Sequence, residues 1–274
     1  MINRKLFWYE KSRDFTPEEM MSRTMAVEEC RQITAKLAFF RTREERGREM
    51  DELWVRKPEN RLTASYGTNW GFYVGYDAIR EYYVEKHEKD RIHQAECYAA
   101  AGETSELRKG LSSFRVINTP CIYIARDGKT AQSLWYSCGT ELIGKPGDDA
   151  EGWWLYLRTA VDYMLEDGEW KIWHVYDCYD CTCPIGTDFS EYPTFPTAEQ
   201  EWARWEFESG NPTIKMITHE NAYHTSDGWP RIPGAHDTYS IDNSCGADAH
   251  PGLQDEPEDV EWLAYEASKL AWGR

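Results

Sequence analysis

Apolar residues recur at helical spacing through the first part of the chain, at Met21, Met25, Ile33, Leu37 and Phe40. The run opens on Thr16, Pro17 and Glu19, a capping box with proline at the first helical position. A long amphipathic helix is therefore predicted from Thr16 to about Val55, with Gly47 as its point of interruption. A second helix is predicted from Tyr76 or Asp77 to about Ala101, after an aromatic loop, "SYGTNWGFYVGY". From Phe114 the period changes to that of strands. "FRVINTPCIYIARDGKTAQSLWYSCGTEL" reads as two strands around an Asp127-Gly128 turn, and "GWWLYLRTAVDYMLEDGEWKIWHVYDCYD" as two more around Asp167-Gly168. Helices followed by an antiparallel meander make an α+β domain. Past Cys183 the periodicity fades into a Gly/Pro-rich tail from about 209 to 257 and a short closing helix at 258 to 272. The boundary expected from this change of texture divides residues 1–183 from an extension, 184–274.

Composition narrows the class of partner. In 274 residues, 31 basic side chains stand against 48 acidic ones, a net charge of −17 that repels phosphate backbones and anionic lipid surfaces. Nucleic acid and membrane are set aside as partners, and with no signal-type apolar run at the start a cytoplasmic location is expected. Eight cysteines are too sparse for a disulfide scaffold and read mainly as small buried thiols. His174, Cys178, Cys181 and Cys183 make a soft-ligand run, but its spacing is unusual for tetrahedral zinc, and no metal is expected. His219, His224, His236 and His250 lack tight helical spacing and read as solvated loop residues. The chain has no phosphate-binding glycine loop, nucleophile elbow or dinucleotide fingerprint, so no cofactor is expected.

The order of a long helix, a Gly75–Ile79 helix start ("GYDAI"), "TPCIYIARDGKTAQSLWYS" and "VDYMLEDGEWKIWHVY" resembles the SnoaL-like branch of the nuclear-transport-factor-two-like cone fold. The resemblance covers roughly residues 16 to 180, and "EDGEWKIWH" is its most specific piece. It implies a curved antiparallel sheet wrapped by N-terminal helices around a conical pocket. It also implies acid/base chemistry without a cofactor, as in dehydratases, isomerases, cyclases and lyases of that group. Adaptors without chemistry share the fold, so the fold alone assigns no activity.

Regular alternation puts Trp170, Ile172, His174 and Tyr176 on one strand face and Lys171, Trp173, Val175 and Asp177 on the other. The resemblance places the first set inside the cone. His174 is then either the proton-transfer group or a core histidine bonded to a backbone carbonyl. Arg115 stands where many relatives carry a histidine; facing inward, it offers a planar fork to an anionic oxygen. Alternation puts Ile117, Thr119, Cys121 and Tyr123 on the face of Arg115, making Tyr123 a candidate phenol donor or else a strand-end tyrosine in water. Asp162 orients a pocket base or is a solvated carboxylate. Tyr66, Trp70, Tyr73 and Tyr76, with Trp135 and Tyr176, are expected to bind a flat aromatic ligand, or to pack against another subunit.

The activity expected is that of a cofactor-independent lyase, cleaving a C–O or C–C bond in an aromatic, phenolic small molecule. An isomerase or cyclase on a polycyclic substrate and a non-catalytic binding protein are the alternatives. Trp202, Trp205, Phe207, Trp229, Tyr239, Trp262 and Tyr265 in the extension need a surface to cover. Trp173 and Val175, outward by alternation, supply one, so a homo-oligomer, dimer or trimer, is expected, with the extension on its own cone or a neighbour's, beside Trp70.

Overall fold

The computed structural model describes residues 15–68, 71–103, 111–143, 151–187, 214–215, 232–233, 236–241 and 245. Trp70 and the expected helix at 258–272 lie outside these residues. Helix α1 spans Pro17–Thr42, capped as predicted: Glu19 N donates to Thr16 Oγ1 (3.2 Å) and Thr16 N to Glu19 Oε2 (2.7 Å). Its buried stripe is Ala26, Cys30, Thr34, Leu37, Phe40 and Arg41, whereas Met21 and Met25 are exposed. The helix stops at Thr42, where Glu44 takes a left-handed φ of 59°, and α2 follows at Arg46–Leu53 with Gly47 inside it. After α3 (Pro58–Thr63), the segment expected as an aromatic loop forms a hairpin, β1 (Ser65–Thr68) and β2 (Gly71–Val74). Helix α4 (Tyr76–Arg80) runs through a π-type turn, Glu81–Lys86, into α5 (His87–Ala100).

Four long strands follow: β3 (Leu111–Ile124), β4 (Thr130–Ile143), β5 (Glu151–Glu166) and β6 (Glu169–Pro184). Both Asp-Gly turns are present, with Gly128 at φ 67° and the Asp167-Gly168 pair at 51° and 86°. With β7 (Ile214–Lys215), the curved, unclosed sheet runs in the order β3-β4-β5-β6-β1-β2-β7. It is mixed rather than wholly antiparallel, because β1 reaches β6 from the helices and lies parallel to it; no hairpin turn dictates its direction.

Three bulges decide which side chains face the helices. In β6, Ile172 pairs with Tyr163 and His174 with Asp162, so Trp173 is an extra residue. In β3, Asn118 pairs with Tyr136 and Cys121 with Leu134, with Thr119 at φ 51° in the interruption. Further along β6, Asp180 is the extra residue between Tyr179 and Cys181. An extra residue inverts the alternation beyond it. Trp170 and Ile172 therefore face the helices, but so do Val175 and Asp177, while His174 and Tyr176 turn to the outer face.

The main core lies between helices and sheet, with Leu37, Phe40, Trp54, Tyr163, Ile172, Trp173 and Val175 among its members. Trp173 and Val175, expected outside, are buried there because of the bulge. A second cluster on the outer face joins Phe72, Leu134, Ala160, Tyr176, Cys178 and Cys245. Parts of the extension bond to the same chain: Tyr239 N donates to Thr130 Oγ1 (2.8 Å) and Cys245 N to Asp162 Oδ2 (2.8 Å). Among the described residues no helix is long and apolar enough to cross a membrane.

Phe72, opposite Gly67 in the β1–β2 hairpin, lies over that glycine and against Tyr176 with ring centroids 5.2 Å apart. A Cβ on Gly67 would come within 2.2 Å of the Phe72 ring. Gly67→Ala should therefore cost about 1–3 kcal/mol of stability in denaturant unfolding, the usual range for overpacking. An unchanged midpoint would show that the ring moves aside freely.

Candidate functional site

His174 lies on the outer face and is wholly enclosed. Its Nδ1 is 3.0 Å from Asp162 Oδ2 and its Nε2 3.0 Å from the Thr63 carbonyl oxygen, while the Trp173 ring stacks on it with centroids 3.9 Å apart. Both ring nitrogens are thus engaged within the protein, and neither faces space that a substrate could reach. Asp162 is spent in the same way: Gln132 Nε2 donates to Oδ1 (2.9 Å) and the Cys245 amide to Oδ2. The core reading of His174 fits this placement; the pair ties β5 and β6 to the end of α3 and to the extension. Tyr123, beyond the β3 bulge, also lies across the sheet from Arg115 instead of beside it. Tyr176 packs on Phe72 and Cys178 in the outer cluster.

The aromatic residues of the predicted rim largely fill space themselves. Tyr73 stacks on Tyr82 at 3.8 Å, and Tyr76 donates its hydroxyl to the Met50 carbonyl (3.1 Å). Trp135 is buried on the helix face with its Nε1 donating to Ser133 Oγ (2.7 Å). Tyr66, also buried, points its hydroxyl at Asp177 Oδ2 (3.3 Å).

Asp177 is the centre of the polar cluster on the helix face. Its Oδ1 accepts from Thr159 Oγ1 (2.7 Å) and its Oδ2 from Arg41 Nη1 (2.7 Å), with Arg115 Nη1 3.6 Å from the same oxygen. Arg115 Nη2 also donates to the Tyr179 hydroxyl (2.5 Å). Arg41 comes from the last turn of α1, one turn beyond Leu37 on the buried stripe. Arg115 comes from β3 opposite Gly139, where a Cβ would stand 1.9 Å from the Phe114 carbonyl oxygen; glycine lets the two strands close there. Arg41 Nε and Nη2, Arg115 Nε and Ser137 Oγ are buried and have no hydrogen-bond partner among the described residues. Each such donor costs free energy unless a ligand meets it.

A second carboxyl lies behind Arg41. Glu49, fully buried on α2, accepts from the Tyr83 hydroxyl (2.8 Å) and Trp54 Nε1 (3.4 Å), with Arg41 Nε 3.6 Å away. Burial works to raise the pKa of both carboxyls. At Asp177 the two guanidiniums more than offset it and hold the group below the usual carboxylate range; at Glu49 burial wins and pushes the group up. Two carboxyls driven in opposite directions around one guanidinium can divide the roles of fixed anion and exchangeable acid.

Asp177, Arg41, Glu49, Tyr179 and Ser137 were not singled out by the sequence reading. For Arg41 the signal was present: a charged residue at i+4 from Leu37 on a buried stripe. For Asp177 it was concealed by the bulge at Trp173.

The fold is an α+β domain with an enclosed polar cluster between sheet and helices. The chain belongs to the SnoaL-like domain family, whose model matches residues 22–176. Solved structures similar to it include a type 2 hexachlorocyclohexane dehydrochlorinase, 10% identical with a TM-score of 0.43, covering 61% of this chain and 94% of that one. The type 3 enzyme from Novosphingobium barchaimii is 11% identical with a TM-score of 0.43, covering 61% and 95%. A nuclear-transport-factor-two-like protein with a cystatin-like fold from Novosphingobium aromaticivorans is 11% identical with a TM-score of 0.38, covering 65% and 96%. None of them passes a substrate or a residue role to this chain. No curated protein matches it in sequence.

Two outcomes are expected. His174→Ala should destabilise by about 3–5 kcal/mol, because it leaves the buried Asp162 carboxylate without its ring partner, while activity per folded molecule stays near wild type. A stable variant with turnover lost would place proton transfer at His174 after all. For Glu49, the folded-state value lies above the unfolded one, so its ionisation subtracts stability as pH rises through and above the ordinary carboxylate range. Glu49→Gln, which mimics the neutral form, should be more stable than wild type at neutral pH, with the advantage vanishing in acid. Thermal midpoints across pH check this; a variant less stable at neutral pH would mean that the ionised form is the favoured one.

Proposed function

We propose that this protein is a cofactor-independent enzyme of the lyase or isomerase kind, acting on an aromatic, phenolic small molecule at the helix face of the sheet. The observation that carries the reading is the set of buried donors on the helix face that have no hydrogen-bond partner among the described residues: Arg41 Nε and Nη2, Arg115 Nε and, from β4, Ser137 Oγ. Donors fixed in a water-poor site stabilise negative charge developing on a substrate oxygen without reorganising during the reaction. Asp177, saturated by four elements of the fold, acts as the anion that aims both guanidiniums. Glu49, its pKa raised, has the property needed in a group that gives and takes a proton. The aromatic ring of a phenolic substrate then serves as the electron sink while a bond beside it breaks or a proton is relocated. Membership of the SnoaL-like family supports a pocket of this kind.

The reading is tested by following absorbance changes with a panel of para-hydroxyaryl compounds, first on wild type and then on Arg115→Lys and Arg115→Ala. Lysine keeps the charge but loses the planar fork, so both variants should lose turnover to a similar extent, by about 10²-fold or more. Arg115→Lys at wild-type activity would show that charge alone matters, and the absence of turnover across the panel would count against the enzyme reading.

A further inference from the structure

We propose that the ligand of the helix-face site carries a carboxylate, received by the Nε–Nη2 edge of Arg41, with Arg115 Nε and Ser137 Oγ as further donors on the same face of the sheet. The inference rests on the reading of this face as the active site and adds the charge class of what binds there.

Charge supplies the first argument. Two guanidiniums, Arg41 and Arg115, surround a single carboxylate, Asp177, whose oxygens are already engaged by Thr159, Arg41 and Tyr66. Glu49 is the other carboxyl beside Arg41, with burial pushing its pKa up, and Glu141 is a further acidic neighbour of Arg115. Arg41 Nε stands 3.6 Å from Glu49, beyond hydrogen-bond distance, so its charge is only loosely paired there, in a buried setting where that is costly. A monoanionic ligand at hydrogen-bond distance offsets that cost.

Donor geometry supplies the second. Arg41 spends Nη1 on Asp177, while Nε and Nη2, the two parallel donors of its other edge, are buried and meet no acceptor at hydrogen-bond distance among the described residues. Glu49 Oε2 approaches Nε only to 3.6 Å. That edge matches the spacing of two carboxylate oxygens, and filling it makes a bidentate, charge-assisted pair. A lone phenolate oxygen or a neutral carbonyl leaves one of the two donors unmet. Ser137 is buried, lies two residues from Gly139 along β4 on the face of Arg115, and adds a hydroxyl that has no partner of its own among the described residues.

The test is calorimetric titration at neutral pH with 4-hydroxybenzoate and its neutral counterpart 4-hydroxybenzamide, on wild type, Ser137→Ala and Arg41→Lys. The carboxylate should bind wild type at least about ten-fold more tightly than the amide. That ratio should shrink several-fold in Ser137→Ala and approach one in Arg41→Lys. Should Arg41→Lys fail to fold, wild type and Ser137→Ala decide the matter. Equal affinities, a preference for the amide, no binding of either, or a ratio untouched by Ser137→Ala overturns the proposal. Turnover of neutral phenols without any preference for the carboxylate overturns it while leaving the enzyme reading standing; preferential carboxylate binding without turnover of any panel compound supports it and tells against the enzyme reading.

Discussion

A carboxylate with no exposed surface has to be paired, and Asp177 is paired by most of the fold at once. Arg41 reaches it from α1, Tyr66 from β1, Arg115 from β3 and Thr159 from β5, while Asp177 itself belongs to β6. The contacts fix where the long helix ends over the sheet and bring the two guanidiniums around one oxygen. Removing the carboxylate takes a shared partner from both buried guanidiniums; removing either arginine leaves the acid to the other. The requirement is local in chemistry and global in its consequences, since no one of the four elements can shift without undoing a charge pair or a hydrogen bond to the carboxylate.

The arrangement exists because β6 is not a regular strand. One extra residue, Trp173, hands the helix face to Val175 and Asp177 and turns His174 and Tyr176 outward. Each face then acquires its own polar centre. The inner one has donors in excess of acceptors. The outer one, in which Asp162, His174, Gln132, Thr63 and the Cys245 amide satisfy one another, has neither, and it fastens the strands to the end of α3 and to the extension. A cluster with donors to spare and a cluster that satisfies itself are thus separated by the thickness of a sheet.

Much of the fold was legible in the sequence because its signals are local. The capping box at Thr16, the two Asp-Gly turns and the change of period at Phe114 lead directly to α1, the hairpins and the α+β class. The site was less legible because alternation is a counting argument, and a bulge defeats the count without leaving a mark as clear as a turn signal. His174 and Tyr123 were each placed on the wrong face by one residue. Arg115 precedes the β3 bulge, so the count reaches it undisturbed and it faces the helices. The aromatic stretch at Tyr66–Tyr76 reads as a loop from its glycines, yet Gly67 is there to let Phe72 lie over the strand, a packing role that only the paired structure displays.

On the proposed reading, ligands meet Arg41 and Arg115, and His174 is out of their reach. That reading is tested most directly by following arginine Nε–H and histidine ring nitrogen resonances of the ¹⁵N-labelled protein as 4-hydroxybenzoate is added. The Arg41 and Arg115 Nε–H signals should shift together with ligand while the His174 ring nitrogens, held between Asp162 and Thr63, stay in place. Movement of the His174 nitrogens with both arginine signals unchanged would contradict it.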